Sequence, residues 1–548
     1  MVKQEARPVS RPWIALAVLG LGLFMTLLDL TIVNIAIPSI LHDLNASLDQ
    51  VLWVLNAYSL LYAVLLITSG RLGDIFGPRN LFVVGVVLFM VASALSGLAQ
   101  DPTQLILARA GQGFGAALLA PQGLPIMTTI FPPERRAGVF AIYGALAGVA
   151  VLAGPLVGGF IVTNFGWRWI FYVNLPIGLL TVALAFLFVP DLRPGRRHRL
   201  DFVGVGLATI GLLGVIFGLI EGQRYSWGTV TGFITIPEII AAGVLVLGLF
   251  VLIQARRQNH EPLLPFAVFR DRNYTLMTLV LMAMGFAMVG VFLPITIYFQ
   301  SVLGLSAFDA GLATAPMPVA MMLVSGVAAS LYTRVSGKYL LMAGLTGFAA
   351  GMAYIAWTAA TSSNRWSLLP GLIIAGAGMG FVWTPVFGLA TRDLRPELAG
   401  VASGVLNTLQ ELGAVVASAA IGALLQNRLA TGLHAQAVSY SSQLPPAFRG
   451  RFVDGFSQAA SSGLEVGRGQ TGGSVHLPPG VPAQVAQQVQ QIAEAVFTHA
   501  FVNAMKPTLV LPIVIVIAAA IACFAVKTRS GVGAQTGAPT QERPASVA

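Results

Sequence analysis

Asp29 is a carboxylate near the middle of an otherwise apolar run that extends from Trp13 to Pro38. The run is long enough to form a helix that crosses a bilayer. An acid at this depth costs about 3 kcal/mol on insertion scales, and such acids generally serve a function. Burial favours the neutral carboxyl group and a nearby cation favours the carboxylate, so Asp29 has the chemistry of a proton-binding group.

Arg109 lies inside the fourth apolar run, residues 104–129. Helix geometry places Arg109 roughly 9 Å from the predicted outer end of its run and Asp29 roughly 13 Å from the outer end of the first. The two side chains are therefore expected at similar depth. We predict that Asp29 takes up and releases a proton and that Arg109 adjusts its proton affinity. The alternative for Arg109 is a side chain that extends to the membrane surface.

Glu411 is an acid in the apolar run 399–425. It lies roughly 18 Å along the helix from the inner end, which places it near the membrane midplane. Glu411 is predicted either to bind a cationic substrate or a second proton, or to be a protonated side chain bonded to a neighbouring helix. The predicted substrate-binding set consists of Asn34, Tyr58, Gln112, Trp383, Asn407, Gln410 and Glu411.

The composition requires that these residues be positioned by membrane helices. The chain has 548 residues, of which 56% are hydrophobic and 9% are charged, whereas soluble domains have about 25% charged residues. The apolar runs are continuous, which indicates helices and excludes the alternating pattern of a membrane β-barrel. We predict an all-α polytopic protein with fourteen spans between residues 13 and 526.

The distribution of basic residues predicts the orientation of these spans. Most of the 31 Lys and Arg residues fall in the segments on one side, which predicts that both termini are cytoplasmic. The same bias accounts for the net charge of +10, so no nucleic-acid partner is expected. The Arg-rich composition is typical of a bacterial protein, and we expect a bacterial cytoplasmic membrane.

Two basic linkers divide the spans into groups of six, two and six. Residues 1–190 are predicted to form a six-helix bundle, 191–272 a two-helix insert with its flanking loops, and 273–526 a second six-helix bundle. Two such bundles around a central site are typical of secondary transporters. A long outer loop, 426–504, is expected to contain an amphipathic helix and a second polar helix. Residues 527–548 are expected to be a disordered tail.

The segment from Gly70 to Asn80, which reads GRLGDIFGPRN, joins the second and third runs. Its glycines let two helices approach closely and let the chain turn within a few residues. The segment resembles the cytoplasmic signature loop of the major facilitator superfamily, with Gly70, Asp74, Gly77 and Arg79 at matching positions. The stretch that begins at Arg109 and reads RAGQGFGA resembles another motif of that superfamily, whose arginine is implicated in proton coupling.

The fifth run contains the stretch AVLAGPLVGG, residues 150–159. A proline inside a helix removes a backbone hydrogen bond and kinks the helix. The stretch resembles the antiporter motif of exporters in the superfamily. The stretches 28–36 and 166–178 resemble signatures of its fourteen-span drug:proton antiporters. The residues to which these motifs assign a conformational switch are Gly70, Asp74, Gly77, Arg79, Gly154, Pro155, Gly158 and Gly159.

The resemblance implies a major facilitator fold and a proton-coupled exporter of small lipophilic or cationic compounds that works by alternating access. The expected partners are a small-molecule substrate, protons and the bilayer, and the protein is expected to act as a monomer. We expect no cofactor and no enzymatic activity, because the histidines lack metal-ligand spacing, there is no Walker loop and a single cysteine, Cys523, is present. The alternatives are a dedicated exporter of one natural product or lipid, and a non-transporting receptor or lipid-binding protein.

Overall fold

A computed structural model describes residues 11–192, 200–222, 224–258, 262–395, 398–461 and 483–527. Within these ranges the chain is helical apart from its connections and one short hairpin of strands β1 and β2. The elements, in chain order, are α1 (Pro12–Asp43), α2 (Leu48–Phe76), α3 (Pro78–Leu98), α4 (Pro102–Leu119), α5 (Gly123–Ile130), α6 (Pro133–Phe165), α7 (Trp169–Tyr172), α8 (Asn174–Phe188), α9 (Phe202–Glu221), β1 (Thr229–Thr231), β2 (Ile234–Thr235), α10 (Ile236–Arg256), α11 (Arg272–Ile297), α12 (Ala307–Thr314), α13 (Pro316–Tyr332), α14 (Gly337–Thr358), α15 (Leu369–Thr391), α16 (Ala399–Ser441), α17 (Pro446–Ser461) and α18 (Ala483–Ala522).

Thirteen segments in the described part of the chain are long and apolar enough to cross a membrane. The predicted fourth run, 104–129, is helical but is not among them. It forms α4 and α5, which are joined by a 3₁₀ turn at Ala120–Gln122. Arg109, the three glutamines and the glycines of this segment lower its hydropathy, and α4 packs between α2 and α3. The chain is therefore a multi-pass helical membrane protein.

Contacts between helix ends define two ends of the bundle. We call the end at which α1 begins the inner end. Trp13 contacts Phe131 there, so the end of α5 lies at the same end of the bundle. We call the opposite end the outer end. There the indole Nε1 of Trp167 donates to the Asp43 carboxylate at 3.0 Å. Hydrogen bonds from His42 and Trp167 lower the pKa of Asp43 below its ordinary value.

The helices pack in two groups. In the first, α1 contacts α6 and α8, and α4 contacts α2 and α3. In the second, α18 contacts α11, α14 and α16, α11 contacts α16, and α15 contacts α13 and α14. The groups meet where α2 packs on α16 and where α6 packs on α13 and α15. Helices α9 and α10 pair with each other, and α9 contacts both α2 and α16. The α9–α10 pair therefore lies beside one of the two seams between the groups.

The segment predicted as a long outer loop is largely helical. Helix α16 continues past residue 425 to Ser441, α17 covers Pro446–Ser461, and α18 is one helix from Ala483 to Ala522. The helix therefore extends beyond the predicted end of the span at residue 425. Leu425, Leu429 and Leu433 stay buried against α18 and α17, which explains why the helix continues. Residues 462–482 and the predicted tail 528–548 lie outside the described residues.

Candidate functional site

The structure brings Asp29 and Arg109 together as a buried ion pair. An Arg109 Nη1 donates to Asp29 Oδ2, and the side chains are 1% and 0% exposed, respectively. The other carboxylate oxygen accepts from the amide of Gln112 at 3.0 Å and from the amide of Asn174 at 3.1 Å. Each carboxylate oxygen thus has at least one donor, as a buried charge requires.

Arg109 has acceptors besides Asp29. Its Nη1 donates to Gln112 Oε1 at 2.9 Å and its Nε donates to the carbonyl oxygen of Val54 at 3.1 Å. The guanidinium also lies 4.5 Å from the centre of the Tyr58 ring, within range of a cation–π interaction. Arg109 therefore has polar and aromatic partners in α2 and α4 in addition to Asp29.

Two serines of α3 extend the cluster. Ser93 accepts from the Asn174 amide at 3.0 Å and donates to the Phe171 carbonyl oxygen at 2.8 Å, while Ser96 bonds Gln112 Oε1 at 3.2 Å. Sequence reasoning did not select Ser93, Ser96 or Asn174. Asn174 is a fully buried amide within the aromatic stretch 166–178, and a polar side chain at that point of an apolar segment was the available signal.

Glycines allow the helices of this cluster to approach so closely. A Cβ on Gly113 of α4 would overlap the Tyr58 carbonyl oxygen of α2 and lie 3.0 Å from its Cα. A Cβ on Gly115 would lie 2.6 Å from the Phe89 backbone nitrogen of α3. The spacing of the two glycines places α2 and α3 on opposite sides of α4. Arg109 is thereby held between α2 and α1 at the depth of Asp29.

A cavity of about 80 Å³ lies next to this cluster, between the two helix groups. Most of its lining is apolar, and its aromatic side chains include Phe140 of α6 and Phe387 of α15, whose ring centres are 5.4 Å apart. No acidic or basic side chain of the described residues lines it. The polar side chains in its lining are Thr26, Tyr58, Tyr62, Tyr143, Ser403 and Asn407.

The predicted substrate-binding residues are distributed around this cavity. Tyr58 and Asn407 line it. Gln112 does not line it, because it is fully buried in the Asp29 cluster. Trp383 does not line it either; it stacks on Phe387, which does, with ring centres 6.1 Å apart. Asn34 is exposed and bonds the carbonyl oxygen of Leu30 in its own helix.

Glu411 and Gln410 occupy the part of α16 that packs on α2 and α11. Gln410 is half-buried, and its carbonyl oxygen contacts Gly285 of α11. Glu411 is also half-buried, and its carboxylate makes no hydrogen bond or ion pair with any residue that the structure describes. It is close enough to Tyr58 and Tyr62 to interact electrostatically with both. Glu411 is therefore a membrane-depth acid beside the cavity lining, available to a ligand.

The signature loop connects the two helix groups at the inner end. Asp74 of α2 accepts hydrogen bonds from the backbone N–H groups of Gly400 and Val401, each at 3.1 Å, at the start of α16. These N–H groups carry the positive end of the helix dipole, which favours a carboxylate. A Cβ on Gly70 would overlap the Gly400 carbonyl oxygen. The contact closes the inner end between α2 and α16.

The remaining predicted switch residues also lie at helix contacts. Gly77 has φ +90° between α2 and α3, and Arg79 pairs with Asp191 at 3.1 Å. On α6, a Cβ at Gly154 would overlap Thr31, one at Gly158 would lie 2.7 Å from Ile32, and one at Gly159 would lie 3.3 Å from Phe308 of α12. Pro155 lies within the same helix. The α6 motif therefore packs against both α1 and α12.

Asp74→Ala is expected to open the inner end. The substitution removes two hydrogen bonds to a charged group, worth at least about 1.5 kcal/mol, which is roughly a tenfold shift in the closed-to-open ratio. The measurement is the distance distribution between spin labels on cysteines introduced at Phe76 and Arg395, two exposed positions, in a Cys523→Ser background. Asp101→Ala, which removes the cap at the outer start of α4, is the matched control. Identical distributions in wild type and Asp74→Ala would contradict this role.

The fold and the cluster define a class of protein: a helical membrane carrier with a buried ion pair beside a cavity between two helix groups. Comparison with known sequences identifies the family. The sequence pattern described as "Major Facilitator Superfamily" matches residues 19–418, and the chain belongs to that superfamily of membrane transporters.

Relatives share much of the chain. An uncharacterised transporter of this superfamily from Mycobacterium tuberculosis is 41% identical over 76% of the chain and 71% of its own length. A probable actinorhodin transporter of Streptomyces coelicolor is 35% identical over 76% of the chain and 73% of its own. The puromycin resistance protein of Streptomyces alboniger is 35% identical over 84% of the chain and 90% of its own length. The crystal structure of a human organic anion transporter has a similar fold, with a TM-score of 0.57 and 13% identity over 92% of this chain and 99% of that one.

Proposed function

We propose that the protein is a proton-coupled antiporter of the bacterial cytoplasmic membrane that exports small lipophilic or cationic compounds. The observation that carries the proposal is the buried pair of Asp29 and Arg109 beside a largely apolar cavity. An apolar cavity with a few polar groups suits lipophilic compounds, and an intramembrane acid with a cation beside it suits proton exchange. Relatives described as resistance or export proteins support export rather than uptake.

The proposed topology has fourteen spans in groups of six, two and six, with both termini in the cytoplasm. It adds the α4–α5 segment as a span to the thirteen apolar helices. The inner end defined above is then the cytoplasmic end. The chain would belong to the fourteen-span drug:proton antiporters, and the protein would act as a monomer without a cofactor.

The proposed mechanism depends on the partners that Arg109 has besides Asp29. A proton that enters from the outer side neutralises Asp29, and the guanidinium remains held by Gln112, the Val54 carbonyl oxygen and the Tyr58 ring. Neutralising the acid weakens the attraction between α1 and α4, while the guanidinium keeps its other hydrogen-bond acceptors and its contact with the Tyr58 ring. The two groups then rock about their seams, the Asp74 contact at the inner end breaks, and the proton leaves as substrate enters from the inside.

A second candidate is a dedicated exporter of one natural product. The relatives include proteins described as exporters of single antibiotics, such as the tetracenomycin C resistance and export protein of Streptomyces glaucescens, 32% identical over 77% of the chain. Among the described residues, no acidic side chain lines the cavity, which favours an uncharged aromatic compound over a cation for such a role. A receptor or lipid-binding protein has no comparable observation in its favour.

Efflux from proteoliposomes with an imposed pH gradient tests these alternatives. The panel contains ethidium as a lipophilic cation, puromycin, and uncharged and anionic aromatic compounds. Gradient-dependent efflux of several compounds supports the multidrug proposal, efflux of one compound alone supports the dedicated exporter, and no efflux of any compound contradicts both.

Glu411→Gln is expected to reduce efflux of ethidium severalfold more than efflux of uncharged compounds. The reason is that the carboxylate is a half-buried acid without a protein partner among the described residues and thus is available to a cation. Glu494→Gln, which changes an exposed acid on the outer part of α18, is the control. Equal effects on charged and uncharged compounds would remove Glu411 from the substrate site.

A further inference from the structure

The ring of Tyr58 lies between two features that a coupled transporter must keep apart. On one side, the ring centre is 4.5 Å from the guanidinium carbon of Arg109. On the other side, Tyr58 lines the cavity between the helix groups. Phe171, the other ring near the guanidinium, is 5.9 Å away and does not line that cavity. Tyr58 therefore contacts the ion pair and also lines the cavity.

The position of this ring is fixed by its surroundings. The backbone of Tyr58 is pressed against Gly113, where a Cβ would overlap its carbonyl oxygen. One turn earlier in α2, the Val54 carbonyl oxygen accepts from Arg109. The ring stacks on Tyr62 at 6.0 Å and meets the edge of Phe89 at 6.5 Å between ring centres. Tyr58 is fully buried, as are both members of the ion pair.

We propose that the ring of Tyr58 is the partition that separates the substrate cavity from the Asp29–Arg109 pair, and that it prevents protons from crossing through Asp29 when no substrate moves. This rests on the proposed function, because it takes Asp29 as the proton site. A carrier with a cavity that fills with water must keep that water from its proton site, since an acid open to both sides in turn would conduct protons without export. An aromatic ring across the guanidinium performs this exclusion and stabilises the cation at the same time.

The hydroxyl of Tyr58 has a separate part in this arrangement. It is buried and has no hydrogen-bond partner among the described residues. A buried hydroxyl without a partner carries a cost that a ligand with a polar group can remove. The ring thus closes the cavity wall towards Arg109, and the hydroxyl remains available to the compound that occupies the cavity. Two substitutions separate these roles, because Tyr58→Phe keeps the ring and Tyr58→Ala removes both.

The test is proton leak without substrate. Full-length protein is reconstituted in liposomes that enclose a pH-sensitive dye, an acid jump is applied outside, and potassium with valinomycin clamps the membrane potential. We expect the gradient to decay severalfold faster with Tyr58→Ala than with the wild type. Tyr58→Phe is expected to retain the wild-type decay, because the ring is kept. The double variant Asp29→Asn/Tyr58→Ala is expected to lose the leak.

Tyr62→Ala is the matched control for the size of the cavity. Tyr62 lines the same cavity one helical turn further along α2, but Arg109 makes its cation–π contacts with Tyr58 and Phe171. Tyr62→Ala therefore enlarges the cavity, while Gly113, Phe89 and the Arg109 guanidinium still hold the Tyr58 ring in place. Its leak is expected at the wild-type rate. Tyr58→Leu provides a second ring deletion with a smaller loss of volume, and size-exclusion profiles of all variants establish folding.

Three results would overturn the proposal: no increase in leak with either ring deletion, an equal increase with Tyr62→Ala, or a leak that persists when Asp29 is also replaced. The leak is measured without substrate, so these outcomes are distinct from those for the proposed function. If the wild type shows gradient-driven efflux and Tyr58→Ala leaks protons no faster than the wild type, the proposed role of the Tyr58 ring is refuted. The proposed antiporter function is then unaffected.

Discussion

Asp29→Asn is expected to abolish gradient-driven efflux, with the rate falling at least about a hundredfold, to that of liposomes without protein. The amide has nearly the same shape as the carboxylate but cannot take up or release a proton in this pH range. It also places an N–H₂ donor among the donors of Arg109, Gln112 and Asn174 that converge on the carboxylate. Initial efflux rates in proteoliposomes with an acidic exterior provide the measurement.

Asp43→Asn is the control for Asp29→Asn. Asp43 ends the same helix and accepts from Trp167 at the outer end, away from the buried pair. We expect it to retain most of the efflux. Counterflow of labelled substrate without a pH gradient should persist in Asp29→Asn, because exchange requires movement of the carrier but no net proton transfer. Wild-type gradient-driven efflux in Asp29→Asn would refute the assignment of the proton site.

Arg109→Ala is expected to destabilise the protein by about 3–5 kcal/mol, because it leaves a buried carboxylate without its cation. It also removes the donor to the Val54 carbonyl oxygen and the cation over the Tyr58 ring. Adding Asp29→Asn removes the unpaired charge, so the double variant Asp29→Asn/Arg109→Ala is expected to recover a large part of the lost stability. Neither variant is expected to carry out gradient-driven efflux. Thermal unfolding in detergent, followed by fluorescence, provides the measurement.

The double variant is what makes this prediction specific. If Arg109 served only to fill space between α4 and α2, the two substitutions would have independent effects and the double variant would be less stable than Arg109→Ala alone. Arg168→Ala is a useful comparison, because Arg168 donates to the Ala99 carbonyl oxygen at 3.1 Å near the outer end and makes no hydrogen bond with an acid of the described residues. Replacing Arg168 should lower the stability by less than replacing Arg109 does. Adding Asp29→Asn to Arg168→Ala should not restore the lost stability.

The sequence predicted that Asp29 and Arg109 lie at similar depth because the physical signals for this are local. An acid and a base inside apolar runs are costly, and helix geometry placed Asp29 and Arg109 at one depth, where they pair in the structure. The long apolar runs likewise predicted the helical fold. The superfamily was recognisable from the spacing of Gly70, Asp74 and Gly77, and it is shown by the match over residues 19–418.

What the sequence did not predict depends on contacts between distant helices. Asn174 of α8 reaches Asp29 of α1 across 145 positions, and no periodicity encodes that meeting. The cavity is formed by residues from both helix groups, and its polar lining includes Tyr143 of α6 and Ser403 of α16. Gln112 was assigned to substrate although it lies three residues from Arg109, on the same helix face. The continuation of α16 was detectable, since Leu425, Leu429 and Leu433 keep the four-residue spacing of a buried helix face.

The central claim is that export is driven by protons that pass through the Asp29–Arg109 pair. The most direct measurement is simultaneous recording of substrate efflux and internal pH in proteoliposomes of the wild-type protein, with and without nigericin to collapse the gradient. The account predicts that substrate export is accompanied by proton entry, that nigericin abolishes both, and that Asp29→Asn shows neither. Export that continues at the same rate after the gradient is collapsed, or without proton entry, would contradict it.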